Sequence, residues 1–171
     1  LTRHTAYQVM LAVIPLILQT YHLIHANVAL ALGDLDDEIM SGFVQQVEEI
    51  NNIANSSLGF VSQPTPLDSG AVYKGKWLLN LSVWESVESL NEFTHSGKHA
   101  VALDNRHRWF NKQDNPNYVL FWFGVGNTPR ESEIERRIVH LTEFGATPYA
   151  FNFKQSFTIQ EAEKYAANPQ A

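Results

Sequence analysis

Apolar positions recur along this chain with two periods, and the change from one to the other marks out its elements. From Tyr21 to Ala31 they alternate at period two. One set is His22, Ile24, Ala26, Val28 and Leu30; the other is Tyr21, Leu23, His25, Asn27 and Ala29. That run predicts a strand whose greasier first set faces covering helices. After Asp34, Asp36 and Asp37, apolar residues step by three and four through Ile39, Phe43, Val47, Ile50 and Ala54. Gln45, Gln46, Glu48 and Glu49 fall between them, so an amphipathic helix with a polar outer face follows. Leu58 to Gln63 reads as a short strand, Pro64 to Lys76 as a variable loop, and Trp77 to Trp84 as the strongest strand. Ser86–Thr94 and Lys98–Phe110 form a helix broken near Gly97, and Tyr118–Val125 is a strand apolar on both sides.

Start signals extend the reading toward the C-terminus. Thr128, Pro129 and Glu131 spell a capping box with proline first in the helix, which runs to Phe144 and stops at Gly145. Tyr149–Phe153 reads as a short strand, and Thr158 with Glu161 opens a terminal helix. The core order is strand, helix, strand, strand, helix, strand. This is an α+β, ferredoxin-like βαββαβ antiparallel sheet with extra C-terminal helices. Residues 1–20 form an apolar arm, 21–154 the domain, and 155–171 a helix and tail. Such a sheet leaves one face bare, here the one carrying Leu23, Leu78 and Trp84. An apolar face of that size predicts a homodimer, two sheets closing into a dimeric α/β barrel.

Composition narrows the function. The 171 residues include no cysteine, which removes disulfides, thiolate metal sites, iron–sulfur clusters and a cysteine nucleophile. A net charge of −6 without a long basic cluster argues against nucleic acid. Charged residues make up only 18% and aromatics 12%, so aromatic area is expected to face a ligand or a second subunit. The apolar run Ala6–Leu18 is too short to span a membrane as a helix. It fits an arm packed on the domain, so the protein is expected in the cytoplasm, with secretion the alternative if the run belongs to a signal segment. Phosphate loops, dinucleotide fingerprints and serine nucleophile elbows are missing from the sequence.

Three runs carry a family resemblance: Asn80 to Phe110 (NLSVWESVESLNEFTHSGKHAVALDNRHRWF), Phe121 to Arg137 (FWFGVGNTPRESEIERR) and Gly145 to Lys154 (GATPYAFNFK). Over roughly Tyr21–Lys154 the chain resembles the family called domain of unknown function 3291, of the dimeric α/β-barrel superfamily. The resemblance implies kinship with cofactor-independent monooxygenases of antibiotic biosynthesis, polyketide cyclases, and haem-degrading or haem-dependent enzymes. It also places His99 at the family's histidine position.

On a helix from Lys98 to Phe110, His99, Leu103, Arg106 and Phe110 share a face. His99 and Arg106 are the candidate catalytic residues, an acid–base group and a cation that could stabilise an enolate or carboxylate. The competing view is a core histidine and a structural arginine. A second constellation is expected across the central strands, where His25 and Asn27 neighbour Asn80, Ser82 and Trp84. Trp109, Phe110, Tyr118 and Trp122 supply aromatic wall for the same apolar ligand. His95 and His99 are four apart, but Gly97 interrupts them and no third ligand follows, so no metal site is expected. One histidine suffices as an axial haem ligand, which keeps haem open as a lesser alternative to no cofactor. The leading expectation is a secondary-metabolic enzyme promoting cyclisation, isomerisation or elimination on an apolar, polyketide- or terpenoid-like substrate. A cofactor-independent or haem-dependent monooxygenase is second, and a non-catalytic dimeric binding or stress-response module third.

Overall fold

The computed structural model describes residues 20–64, 72–95, 97–114 and 116–168. The N-terminal arm, most of the Pro64–Lys76 segment and the Leu103 side chain lie outside the described residues. The described residues form five strands: β1 (Tyr21–Leu30), β2 (Phe60–Ser62), β3 (Val72–Lys74), β4 (Trp77–Trp84) and β5 (Tyr118–Gly124). The helices are α1 (Ser41–Asn55), α2 (Val87–His95), α3 (Gly97–Asn105), α4 (Glu131–Phe144) and α5 (Ile159–Ala167). Strand order is β2-β4-β1-β5, all antiparallel, which is the ferredoxin-like arrangement. The central register sets Leu23 opposite Trp84, His25 opposite Ser82 and Asn27 opposite Asn80.

The sheet's two faces are reversed relative to the sequence expectation. Leu23, Trp84 and Leu120, fully buried, form one core with Ala54 of α1 and with Leu90 and Phe93 of α2. Leu78 joins Met40 and Trp109 in an adjoining cluster. The supposedly bare face is therefore the one that α1 and α2 cover. The ground on which a second copy was expected falls away with it. The opposite face, Ile24, Ala26, Leu81 and Phe121, packs on Ile134 and Leu141 of α4. Hydropathy misled here because the covered face holds the polar residues of the interior, which lowered its apparent greasiness.

Arg137 ties α4 to the sheet. Its guanidinium lies between the Phe121 and Tyr149 rings, 4.1 and 4.2 Å from their centroids, donating to the Tyr149 carbonyl and to Glu133 at 3.0 Å.

Four element boundaries also differ from expectation. The Pro64–Lys76 loop ends in β3, hairpinned onto β4 through Gly75 and Lys76, and Gly75 takes the positive φ (57°) that such a two-residue turn needs. The helix predicted to reach Phe110 stops at Asn105 and tightens into a 3₁₀ turn, Arg106–Arg108. Tyr149–Phe153 is no strand: Phe151 makes a single bridge to Leu120 while the neighbours turn. Thr128 does not cap α4, whose first flanking residue is Arg130 with no side-chain cap. Pro129 instead precedes that residue and, like Ile134, is buried, the two positions a hydrophobic staple uses. The Thr158–Glu161 capping box of α5 is present in full. Among the described residues, no helix is long and apolar enough to cross a membrane.

Candidate active site

A cavity of about 790 Å³ lies between the sheet and the helices α1 and α3. Its volume suits a small organic molecule, for which sites of roughly 300–1,000 Å³ are usual. The sheet contributes Asn27 and Asn80, partners in the register, so their side chains share the helix-covered face. The α1 wall comes from Phe43, Gln46, Val47 and Ile50, which follow the three- and four-residue steps of one helical face. His99 enters from α3, and Arg106, Trp109 and Phe110 from the turn that follows it. Asn27 and Asn80 from one expected constellation and His99 and Arg106 from the other thus line one cavity, whereas His25, Ser82 and Trp84 are not among its lining residues.

His99 is held in a defined state. Its Nδ1 lies 3.0 Å from the Thr94 carbonyl oxygen, which can only accept, so Nδ1 carries the proton and donates. The lone pair is left on Nε2. Burial lowers the pKa of His99 below its ordinary value, against the opposing pull of the Thr94 carbonyl, and His95 lowers it further. A neutral imidazole with a free lone pair at neutral pH is a competent base. The ring is wedged against Phe93, centroids 4.5 Å apart, and Phe93 lies on Trp84, which meets Phe60 edge-on. This aromatic column fixes where the base sits.

His25, Ser82 and Trp84 support the cavity from behind. The Trp84 Nε1–H donates to Ser82 Oγ at 3.0 Å, and Ser82 Oγ lies 3.4 Å from His25 Nδ1. The His25 ring keeps some accessible surface, yet so many protein atoms surround it that desolvation dominates. Burial, followed by the nearby His99, pushes its pKa down to about 4. It is neutral at pH 7 and stacks edge-on against Tyr118, whose centroid is 5.9 Å away. Tyr118 itself does not line the cavity; its hydroxyl accepts from the Phe153 backbone N–H at 3.3 Å. Trp122 lies elsewhere: its indole donates to the Phe157 carbonyl at 2.6 Å and borders a separate hollow of about 380 Å³ near the start of α5.

The sequence matches the family described as Domain of unknown function (DUF3291) over residues 22–167. The chain belongs to that family. No curated protein matches it significantly. Three of the solved structures to which the chain is similar are these. NE2512 from Nitrosomonas europaea, a protein of unknown function, is 10% identical, covers 64% of this chain and 96% of its own, and gives a TM-score of 0.47. A putative antibiotic biosynthesis monooxygenase from the same organism is 10% identical, with 66% and 96% covered and a TM-score of 0.46. SnoaB, a cofactor-independent oxygenase from Streptomyces nogalater, is 11% identical, with 66% and 100% covered and a TM-score of 0.43.

The part of the chain matched by DUF3291 takes in every residue of the cavity and runs through α5. Several cavity residues of this DUF3291 chain escaped the sequence reading. Gln46 looked like outer-face polarity, Gln63 like the end of a strand, and Asn117 like a loop. For Gln46 a signal existed: it stands three residues after Phe43 and four before Ile50, on the apolar stripe itself. Gln63 Nε2 donates to Asn80 Oδ1 at 2.9 Å, fixing that amide on the cavity floor. Among the described lining residues no Asp, Glu or Lys occurs, so Arg106 carries the cavity's one formal charge. Three acidic groups, Asp34, Asp36 and Asp37, cluster within reach of one another outside the cavity and are all exposed.

Proposed function

We propose that this protein is a small-molecule enzyme in which His99 takes a proton from a carbon next to a substrate carbonyl. The observation that carries the reading is the His99 imidazole: neutral, proton on Nδ1, and seated in the wall of a largely apolar cavity. In the step, the C–H bond breaks, the proton passes to Nε2, and the electron pair settles on the carbonyl oxygen as an enolate. Arg106, exposed where it joins the cavity wall, supplies the cation that pairs with this oxygen. Returning the proton to a different carbon completes an isomerisation; attack of the enolate carbon on a second carbonyl completes a cyclisation; expulsion of a β-substituent completes an elimination. None of these needs an external oxidant or reductant. Phe43, Trp109 and Phe110 line the cavity, with Phe110 meeting Phe43 edge-on at 4.9 Å, and favour a ring-bearing apolar substrate of polyketide or terpenoid type.

The test is proton exchange. A panel of cyclic and aryl-substituted β-diketones and β-keto acids is incubated in deuterated buffer, and deuterium uptake at the carbon between the carbonyls is followed by NMR. Wild type should accelerate uptake for members of the panel, and His99→Gln should lower the enzyme-dependent rate by roughly a hundredfold or more, the scale of a lost general base. Its melting temperature should stay near that of wild type. If His99→Gln exchanges as fast as wild type, or melts far lower with activity per folded molecule intact, the histidine is a core group and the assignment fails.

A further inference from the structure

Asn80 stands mid-way along β4, directly opposite Asn27 on β1, and both line the cavity. The two carboxamides are held differently. Asn80 Oδ1 accepts from Gln63 Nε2 at 2.9 Å, while Asn80 Nδ2 has no hydrogen-bond partner among the described residues. The Asn27 side chain has none for either of its polar atoms. Among the described residues, the unpaired side-chain atoms shut off from solvent are Gln46 Oε1 and Arg137 Nε. Asn80 is half-buried and its Nδ2 is not one of these, so that nitrogen keeps accessible surface, and the open space along Asn80 is the cavity.

Gln63 sets this orientation. It follows β2, which pairs with β4, and precedes Pro64, whose ring keeps the backbone before it extended. From that position its amide reaches Asn80. Turning a carboxamide over exchanges its carbonyl and amino groups. With Oδ1 engaged, Asn80 presents N–H to the cavity, whereas Asn27 is free to present either group. A ligand group over Asn80 must therefore accept. A ketone, quinone or ester carbonyl does so with nothing left over. A group that only donates would meet another donor there and forfeit its bond to water. Arg106, the cavity's formal charge, stands on the helical side, so an acceptor held by Asn80 on the sheet is a second oxygen.

We infer that Gln63 is a specificity-determining positioning residue: by holding Asn80 Oδ1 it makes the cavity select a ligand with an uncharged carbonyl over Asn80 and reject one with a donor there. The substrate is then a ring-bearing compound with a second carbonyl, besides the oxygen paired with Arg106. This rests on reading the cavity as the substrate site, but not on His99 being a base. Gln63 acts through Asn80 and takes no part in the proton transfer.

Equilibrium dialysis at pH 8, without turnover, tests it. The probes are 2-acetylnaphthalene, which only accepts, 2-isopropenylnaphthalene, which has nearly the same shape and no oxygen, and 2-naphthol, a strong donor. Affinities are read relative to the hydrocarbon, which removes the apolar contribution the three share. Asn80→Leu, and Asn80→Asp, which keeps the bond from Gln63 but has no N–H, should each cost the ketone roughly tenfold. In Gln63→Glu the carboxylate can only accept, so it takes an Asn80 N–H and turns Asn80 Oδ1 to the cavity. The ketone should then lose as much, while 2-naphthol gains severalfold; a merely structural loss would move both the same way. Gln63→Leu releases Asn80 to turn either way and should narrow the gap between the two ligands, a check that stands if the glutamate variant does not fold. The inference is overturned if the ketone keeps its standing in whichever Asn80 variant folds, if neither Gln63 variant narrows the gap, or if no probe binds wild type. His99→Gln should leave the pattern unchanged whatever it does to exchange, which separates failure of this inference from failure of the catalytic reading.

Discussion

Replacing His25 with asparagine should flatten part of the protein's acid sensitivity, and the size of the effect follows from the burial of the ring. In the unfolded chain this histidine titrates near 6.5; folded, its pKa is pushed down to about 4. Folding therefore favours the neutral form, and its contribution is fully present above pH 6.5 and lost as pH falls toward 4. Linkage between those two values gives a loss of about 2 kcal/mol by pH 5 and about 3 kcal/mol by pH 4, the upper end of what one histidine supplies. For a chain of this size, the loss at pH 5 corresponds to a melting temperature lower by about 4–8 °C. Asparagine keeps a polar partner for Ser82 and does not titrate. The assay is urea unfolding of wild type and His25→Asn at several pH values between 7.5 and 4 (chosen to bracket the titration). At pH 7.5 the variant should be the weaker, having lost the contact with Tyr118. The gap should shrink as pH falls and close or reverse near pH 4. Both proteins share every other titrating group, including His99 and His140, so the difference reports His25 together with its coupling to His99. Parallel pH profiles for the two proteins would show that His25 ionises without cost, and that the interior beneath the cavity is wet rather than desolvated.

Three other outcomes follow from the same structure. Exchange catalysed by His99 should fall on the acid side of a pKa below 6.5 and level off above it, since burial lowers that pKa and the neutral ring is the active form; a rate that rises as pH falls through that limb would exclude neutral His99 as the base. Arg106→Leu should weaken binding of 2-naphthoate about tenfold and leave neutral 2-naphthol unaffected, with stability changed by less than about 0.5 kcal/mol because the side chain is exposed; equal losses for both ligands would deny it the anion-holding role. Gly42→Ala puts a methyl 3.2 Å from the Trp109 ring, so tryptophan emission should shift while the gain of about 1 kcal/mol in helix propensity offsets the crowding; a higher melting temperature with unchanged emission would mean that Trp109 does not pack against α1.

The order of elements and the pairing of the central strands could be read from periodicity alone, because β1 and β4 alternate cleanly and no other strand competes for their positions. The side of the sheet that the helices cover could not. Both faces of β4 are mostly apolar, and the face that holds His25, Asn27, Asn80 and Ser82 looked too polar to be inside. An interior that encloses a cavity with amide and imidazole groups in and behind its walls breaks the rule that polarity points outward, so hydropathy fails there. His99, Arg106, Trp109 and Phe110 could be grouped in advance because one short segment carries them all, and all four line the cavity. Gln46 and Gln63 were missed because each joins the cavity only through tertiary packing of α1 and β2 onto the sheet. The Thr128 motif failed for a local reason: Pro129 is taken up by burial ahead of α4, and the helix starts two residues later than the motif implies.

Whether His99 can act as a base depends on its being a neutral imidazole with its proton on Nδ1, and histidine side-chain NMR reads that state directly. In uniformly ¹⁵N-labelled protein, with His99→Gln used to assign the signal, long-range ¹⁵N–¹H correlations distinguish protonated from unprotonated ring nitrogens. At pH 7 the His99 Nδ1 should show the shift of a protonated nitrogen and Nε2 that of a bare one, and the pattern should hold until pH falls below 6.5. A doubly protonated ring at pH 7, or a proton on Nε2 with Nδ1 bare, would leave no lone pair for the substrate and contradict the assignment of His99 as the base.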